Sequence, residues 1–140
     1  MSVVAVLWPV FVLILLTFVL FGRMALSRVG ALKAGEVKIK QIALGNDAWP
    51  AKAKQISNAF HNQLELPFLF YFLVGFALAT KKADLLFVIM SWLFVLTRYA
   101  HAYVHTTSNN VTLRFNLFGA GAFVLIAMWI IFAVRILLAL

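Results

Sequence analysis

Residues 3–21 read VVAVLWPVFVLILLTFVLF, a run without a single charged side chain. At ~1.5 Å per residue, a helix over Val3–Phe21 crosses a hydrocarbon core of ~30 Å, with room to continue toward Arg28 as an exposed cytosolic turn. The rest of the chain has the same character: 65% of the 140 residues are hydrophobic and 11% are charged. A soluble domain has about a quarter of its residues charged. This chain cannot cover its own surface in water, so lipid is the expected solvent. The length allows one domain. With no cysteine, disulfides, thiolate nucleophiles and Cys-based metal sites are excluded. The first run reads as a retained span and not as a signal peptide. No Lys or Arg precedes it, and no small-residue cleavage site stands ahead of Arg23.

Three more apolar segments follow. Asn46-Asp47 offers a cap and Pro50 suits a first helical turn, so a second helix is predicted over Pro50–Thr80. Pro67 should kink it and free a carbonyl near Gln63. Lys81-Lys82-Ala83-Asp84 is a tight polar turn. A third helix is predicted over Leu85–His105, a short link over Thr106–Thr112, and a fourth helix over Leu113–Leu137. Gly119 and Gly121 on the fourth would allow close approach to a neighbour. The expectation is an all-α integral membrane protein: a single domain, residues 1–140, folded as a four-transmembrane-helix bundle. The spans fall at about 3–21, 57–80, 85–105 and 114–137.

The net charge of +8 is not read as a nucleic-acid signal. Seven of the twelve Lys and Arg residues lie between Arg23 and Lys54, directly after the first span. That is the pattern of a cytoplasmic loop. It places residues 22–56 and 105–114 in the cytoplasm, and both termini outside it.

Charges within membrane helices are costly, ~2.5–3.5 kcal/mol at mid-helix on insertion scales, and here they are grouped. Asn58, His61, Asn62 and Glu65 share one face of the second helix, and Arg98, His101 and His105 share one face of the third. Arg114 opens the fourth. These converge beside Lys38 and Lys40 as a cationic cleft with one buried carboxylate, Glu65. Such a cleft suits an amphipathic ligand carrying several carboxylates, and Glu65 can take its ammonium group.

Each residue also has a purely structural role open to it. Glu65 can pair with Arg98, Asn58 and Asn62 can hydrogen-bond between helices, Arg98 and Arg114 can snorkel to headgroups, and Lys38 with Lys40 can form a lipid-headgroup patch. His101 and His105 have metal-ligand spacing, and with Glu65 or His61 could form a site. No HExxH pattern is present and Arg98 would repel a cation, so no metal is expected.

The stretch Asn58-Ala59-Phe60-His61-Asn62-Gln63-Leu64-Glu65-Leu66-Pro67-Phe68-Leu69-Phe70 resembles the second-helix signature of the MAPEG family, the membrane-associated proteins in eicosanoid and glutathione metabolism. Asn62, Glu65 and Pro67 fall on its Asn-x-x-Glu and following proline. Arg98-Tyr99-Ala100-His101 resembles its third-helix Arg-x-x-His, Arg114 the arginine opening its fourth helix, and Gly35–Lys40 its basic segment after helix 1. Asn58, Phe115 and Phe118 depart from an arginine, a serine and a tyrosine found in some members. The resemblance is to bacterial-type members, and implies the bacterial inner membrane and a homotrimer with glutathione as cofactor at subunit interfaces. Carried over, Lys38, His61, Asn62, Glu65, Arg98, His101 and His105 would bind glutathione, and Arg114 would be the catalytic, thiol-activating arginine.

The implied function is a glutathione-dependent enzyme of transferase or peroxidase type acting on lipophilic electrophiles. A free thiol has pKa ~8.5, a nearby guanidinium favours the thiolate, and arginine keeps its proton. Two rivals belong to other classes. A non-catalytic scaffold or lipid-binding protein of the same fold would bind glutathione without turnover. A small multidrug transporter would carry its membrane glutamate in the first helix, and this first helix has no acid.

Overall fold

The computed structural model describes residues 1–140, and every regular element in it is helical. α1 spans Val3–Lys33, α2 Ile39–Ile42, α3 Ala51–Asn62, α4 Leu66–Ala79, α5 Leu85–Thr106 and α6 Val111–Leu137. Counting α3 and α4 as one, four helices are long and apolar enough to cross a membrane.

α1 starts where the Ser2 hydroxyl accepts from the Ala5 N–H (3.2 Å). It stays helical far beyond Phe21, because α3 packs along its second half. Arg28 donates to the Ser57 hydroxyl (2.9 Å) and stacks over Trp49 (5.2 Å). Ala31, Val37, Trp49 and Ala53 make a small apolar cluster beneath the loop. The helix ends in a Schellman arrangement: Gly35 takes φ 73°, and the Glu36 N–H reaches back to the Ala31 carbonyl (3.1 Å).

The second span is broken, not merely kinked. Pro67 has no N–H for the Gln63 carbonyl and its ring clashes there. The chain leaves the helix over Gln63–Glu65, with Glu65 at φ −95°, ψ −101°, and resumes at Leu66. The carbonyl taken up across the bundle is one residue earlier than the sequence suggests: Asn62 C=O accepts from Arg98 Nη2 (3.1 Å).

α5 is the central helix, packed against α6, α1 and α3. Asp84 caps its start by accepting from the Phe87 N–H (2.9 Å). Its buried stripe runs Phe87, Ser91, Phe94, Arg98, His101, His105, a 3–4 residue spacing throughout. The first half fills the core, with Phe94 against Phe70 of α4 (4.9 Å) and Leu13, Leu73, Leu125 and Met128 around them. The second half continues the same stripe in polar residues. Of the two α6 glycines, only Gly121 makes a close approach: a Cβ there would lie 2.7 Å from Thr97 Oγ1, while Gly119 has open space.

Candidate functional site

Arg98 organizes the polar end of the bundle. It is 1% exposed, and Nη2 donates to both the carbonyl and the side-chain Oδ1 of Asn62. Its Nε and Nη1 have no partner. Buried N–H groups on a cation are almost always satisfied, so two idle donor atoms call for an acceptor. Its guanidinium carbon lies 5.9 Å from the Phe118 ring.

His101 is one turn on, 3% exposed. Its ring packs on Phe118 (6.0 Å) and meets the His105 ring edge-on at 5.5 Å. Both Nδ1 atoms lack a partner. Arg114 enters from the first turn of α6, which Asn110 caps by accepting from the Leu113 N–H (3.0 Å). Arg114 Nη1 donates to Asn109 Oδ1. Asn62, His101, Val111, Arg114, Phe115 and Phe118 line one open cleft of about 220 Å³.

The cleft is cationic, and Glu65 of the same subunit acts on Arg98 through its charge without forming a salt bridge. The chain has four acidic residues, and none lines it. The protein partners of Arg98 and Arg114 are neutral amides and a carbonyl, so both positive charges remain available to a ligand.

The other residues singled out in the sequence lie elsewhere on the subunit. His61 is exposed; its Nδ1 sits 2.8 Å from the Ser57 carbonyl. It lines a second polar cleft with Arg28, Asp47, Lys54 and Asn58. Adjacent residues on a helix point ~100° apart, so Asn62 turns to α5 and His61 away. Glu65 is exposed and makes no salt bridge; the one ion pair within 4 Å is Arg135–Asp84. Glu65 lies in the break itself and is exposed, outside salt-bridge range of Arg98 but close enough to act on it through its charge. Lys38 is exposed at the start of α2, where its N–H donates to Gln41 Oε1 (2.8 Å).

Some participants were not signalled in advance. Gln55 Nε2 donates to the His105 carbonyl (2.7 Å) and Lys52 Nζ to the Thr106 carbonyl (2.9 Å), tying α3 to the end of α5. Gln63, 2% exposed, has both amide atoms unpartnered at the helix break. Polar residues on an amphipathic helix give no sequence sign of which carbonyl they reach.

The model of the MAPEG family matches residues 6–134. The chain belongs to the MAPEG family. No curated protein and no solved structure matches it. Membership and the four apolar helices make it a multi-pass membrane protein, of a family associated with glutathione and including glutathione-dependent transferases and peroxidases. In this MAPEG protein the Asn-x-x-Glu motif straddles the break: Asn62 ends α3 and Glu65 lies in the turn before α4.

Proposed function

We propose that this MAPEG protein is a glutathione-dependent membrane enzyme of transferase or peroxidase type. It acts on lipophilic electrophiles, and Arg114 stabilizes the thiolate. The carrying observation is the cleft lined by Arg114 and His101, with the idle donors of buried Arg98 one helical turn from His101. Glutathione fits its chemistry: two carboxylates for the guanidinium groups, and a thiol whose anion gains from Arg114. Arginine suits because it stays protonated and presents a planar fork. Val111 and Phe115 at the rim are 66% and 74% exposed, and admit an apolar substrate from the bilayer. Arg114 would act by electrostatic stabilization and the cleft by holding the reactants together.

Homotrimeric assembly follows as part of this reading. Glu65, His61 and Lys38 face outward from one subunit. A neighbour's cleft against that surface would use them, with Glu65 taking the ligand's ammonium group. The charge pattern supports an orientation with both termini outside the cytoplasm, and the bacterial inner membrane is what the resemblance implies. Cysteines introduced at Lys40 and Lys82 should therefore label from opposite sides; labelling from one side would reverse that assignment.

Bound glutathione should show thiolate ultraviolet absorbance at neutral pH in the wild type. In Arg114→Ala that absorbance should vanish while affinity falls less. Absorbance unchanged in Arg114→Ala removes the role given to Arg114. Absence of glutathione binding in the wild type removes the enzymatic reading and leaves the scaffold.

A further inference from the structure

The second polar cleft lies between the far half of α1, the loop before α3, and α3 itself. It encloses about 220 Å³, and Arg28, Asp47, Trp49, Lys54, Ser57 and His61 are among the residues that line it. Arg28 is fixed there from two sides. Its Nη2 donates to the Ser57 hydroxyl (2.9 Å), and its guanidinium stacks over the Trp49 ring (5.2 Å). Its Nε is buried and has no partner. Two cations and a carboxylate thus share the cleft, yet neither Arg28 nor Lys54 lies within 4 Å of Asp47, since the one ion pair of the chain is Arg135–Asp84. The space between them is open to a ligand that carries both signs of charge.

The depth of the cleft says where such a ligand comes from. The first apolar run ends at Phe21, and Phe60 of α3 stands level with it, ring centroids 5.6 Å apart. The Arg28–Ser57 contact shows α3 running back along α1. For helices along the membrane normal, Ser57 is then ~4.5 Å above Phe60, and Lys54 ~9 Å. A bilayer has a hydrocarbon core of ~30 Å within ~40–45 Å overall, so each headgroup layer is about 5–8 Å deep. Ser57 and the guanidinium bonded to it stand at headgroup depth. Lys54 stands at the outer edge of that layer, and its flexible stem can reach inward.

We propose that this cleft binds the headgroup of an aminophospholipid, a phosphodiester that carries a primary ammonium group. The phosphodiester sits against Arg28 Nε and the Lys54 ammonium, and the headgroup ammonium against Asp47. Charge-assisted hydrogen bonds of this kind are the strong ones, and a guanidinium matches phosphate geometry. A choline headgroup offers Asp47 no N–H, and a glycerol headgroup offers it no cation. The lipid ties the end of α1 to α3 where both leave the hydrocarbon. This binding is separate from the glutathione reading and does not depend on it.

The test titrates delipidated protein in mild detergent with dioleoyl phosphatidylethanolamine, phosphatidylglycerol or phosphatidylcholine, and native mass spectrometry reads the lipid retained. Phosphatidylethanolamine should be retained at least about tenfold better than phosphatidylcholine, the factor carried by a hydrogen bond between charged groups. Asp47→Asn should erase the preference for phosphatidylethanolamine over phosphatidylglycerol. Arg28→Gln should weaken retention of all three lipids about tenfold; if it does not fold, Lys54→Gln, at a position without structural contacts of its own, makes the same comparison. Inorganic phosphate at matched concentration should leave the lipid bound; its displacement of the lipid would assign the cleft to free phosphate and overturn the proposal. Equal retention of the three lipids overturns it, as does a preference unchanged in Asp47→Asn. Saturating glutathione should also leave the lipid in place. Displacement by glutathione would make the cleft part of the glutathione site and overturn the proposal, whereas a wild type that binds no glutathione but keeps the lipid preference supports it.

Discussion

The Arg98–Asn62 pair separates a residue kept for stability from one kept for a ligand. Arg98 is 1% exposed, and its only acceptors are the Asn62 carbonyl and Oδ1. Asn62→Leu holds the volume roughly and removes Oδ1, leaving Nη2 a single acceptor. A hydrogen bond to a charged group contributes about 1.5–3 kcal/mol, and the loss should be of that size. Arg98→Met removes the charge together with its desolvation penalty. The half-buried Asn62 left behind can turn to water. Replacing a buried charge by an apolar chain of similar length is often close to neutral, so this variant should lose less than about 1 kcal/mol. In the double variant the Asn62→Leu cost should shrink to under about 0.5 kcal/mol, because the coupling goes with the guanidinium. Thermal unfolding of the four proteins in one detergent, scored beside glutathione affinity, measures the cycle. Glutathione affinity should collapse in Arg98→Met despite its near-native stability. If Arg98→Met is the less stable single variant, or if Asn62→Leu costs the same in both backgrounds, the buried guanidinium serves the fold.

Two further outcomes probe the frame around the site. Gly121→Ala puts a methyl 2.7 Å from Thr97 Oγ1, which is already committed to the Phe94 carbonyl (2.6 Å); α6 must shift, at about 1–3 kcal/mol by thermal unfolding, while Gly119→Ala should cost nothing measurable. At the opposite end of the bundle, burial raises the Asp84 carboxyl pKa, but the Phe87 N–H and Arg135 outweigh it and hold it below the usual range. A lowered folded-state pKa means stability present above the unfolded value of ~3.9 and lost as pH falls through the folded one. Asp84→Asn should therefore cost under about 1 kcal/mol at pH 7, given the exposure of this pair, with the difference gone in strong acid; a difference that persists there contradicts the pairing.

The helices were legible because lipid demands long uncharged runs, and residues 3–21 announce the first without ambiguity. Their ends were less so. α1 continues to Lys33 only because Arg28 and Trp49 hold α3 and the loop against it, a tertiary effect with no local signature. The polar stripe Arg98-His101-His105 was readable from spacing, since α5 keeps one period along its length. The face Asn58-His61-Asn62-Glu65 was readable only in part: within α3, Asn58 and His61 line one cleft and Asn62, ~100° from His61, lines another, and Glu65 lies where Pro67 ends the period. Glu65 was expected as a buried carboxylate and is exposed on the single subunit; a proline marks a disturbance but does not say which way the residues before it turn.

That disturbance links the parts of the proposed site. Pro67 opens the helix, the opening frees the Asn62 carbonyl, and the carbonyl with Oδ1 fixes one edge of Arg98. The other edge is then idle, beside His101 and the cleft that Arg114 lines. The same opening turns Glu65 to the outside. One proline thus leaves a buried cation with idle donors and an exposed carboxylate that makes no salt bridge with it. Within one subunit, the break leaves the two without a salt bridge. In the proposed trimer, a second subunit would bring its Glu65 to the first subunit's cleft, and a ligand carrying both carboxylates and an ammonium group would bridge them. Native mass spectrometry in mild detergent should find three chains, and glutathione should bind the trimer alone. A monomer that binds it equally well would show that the site needs no second subunit.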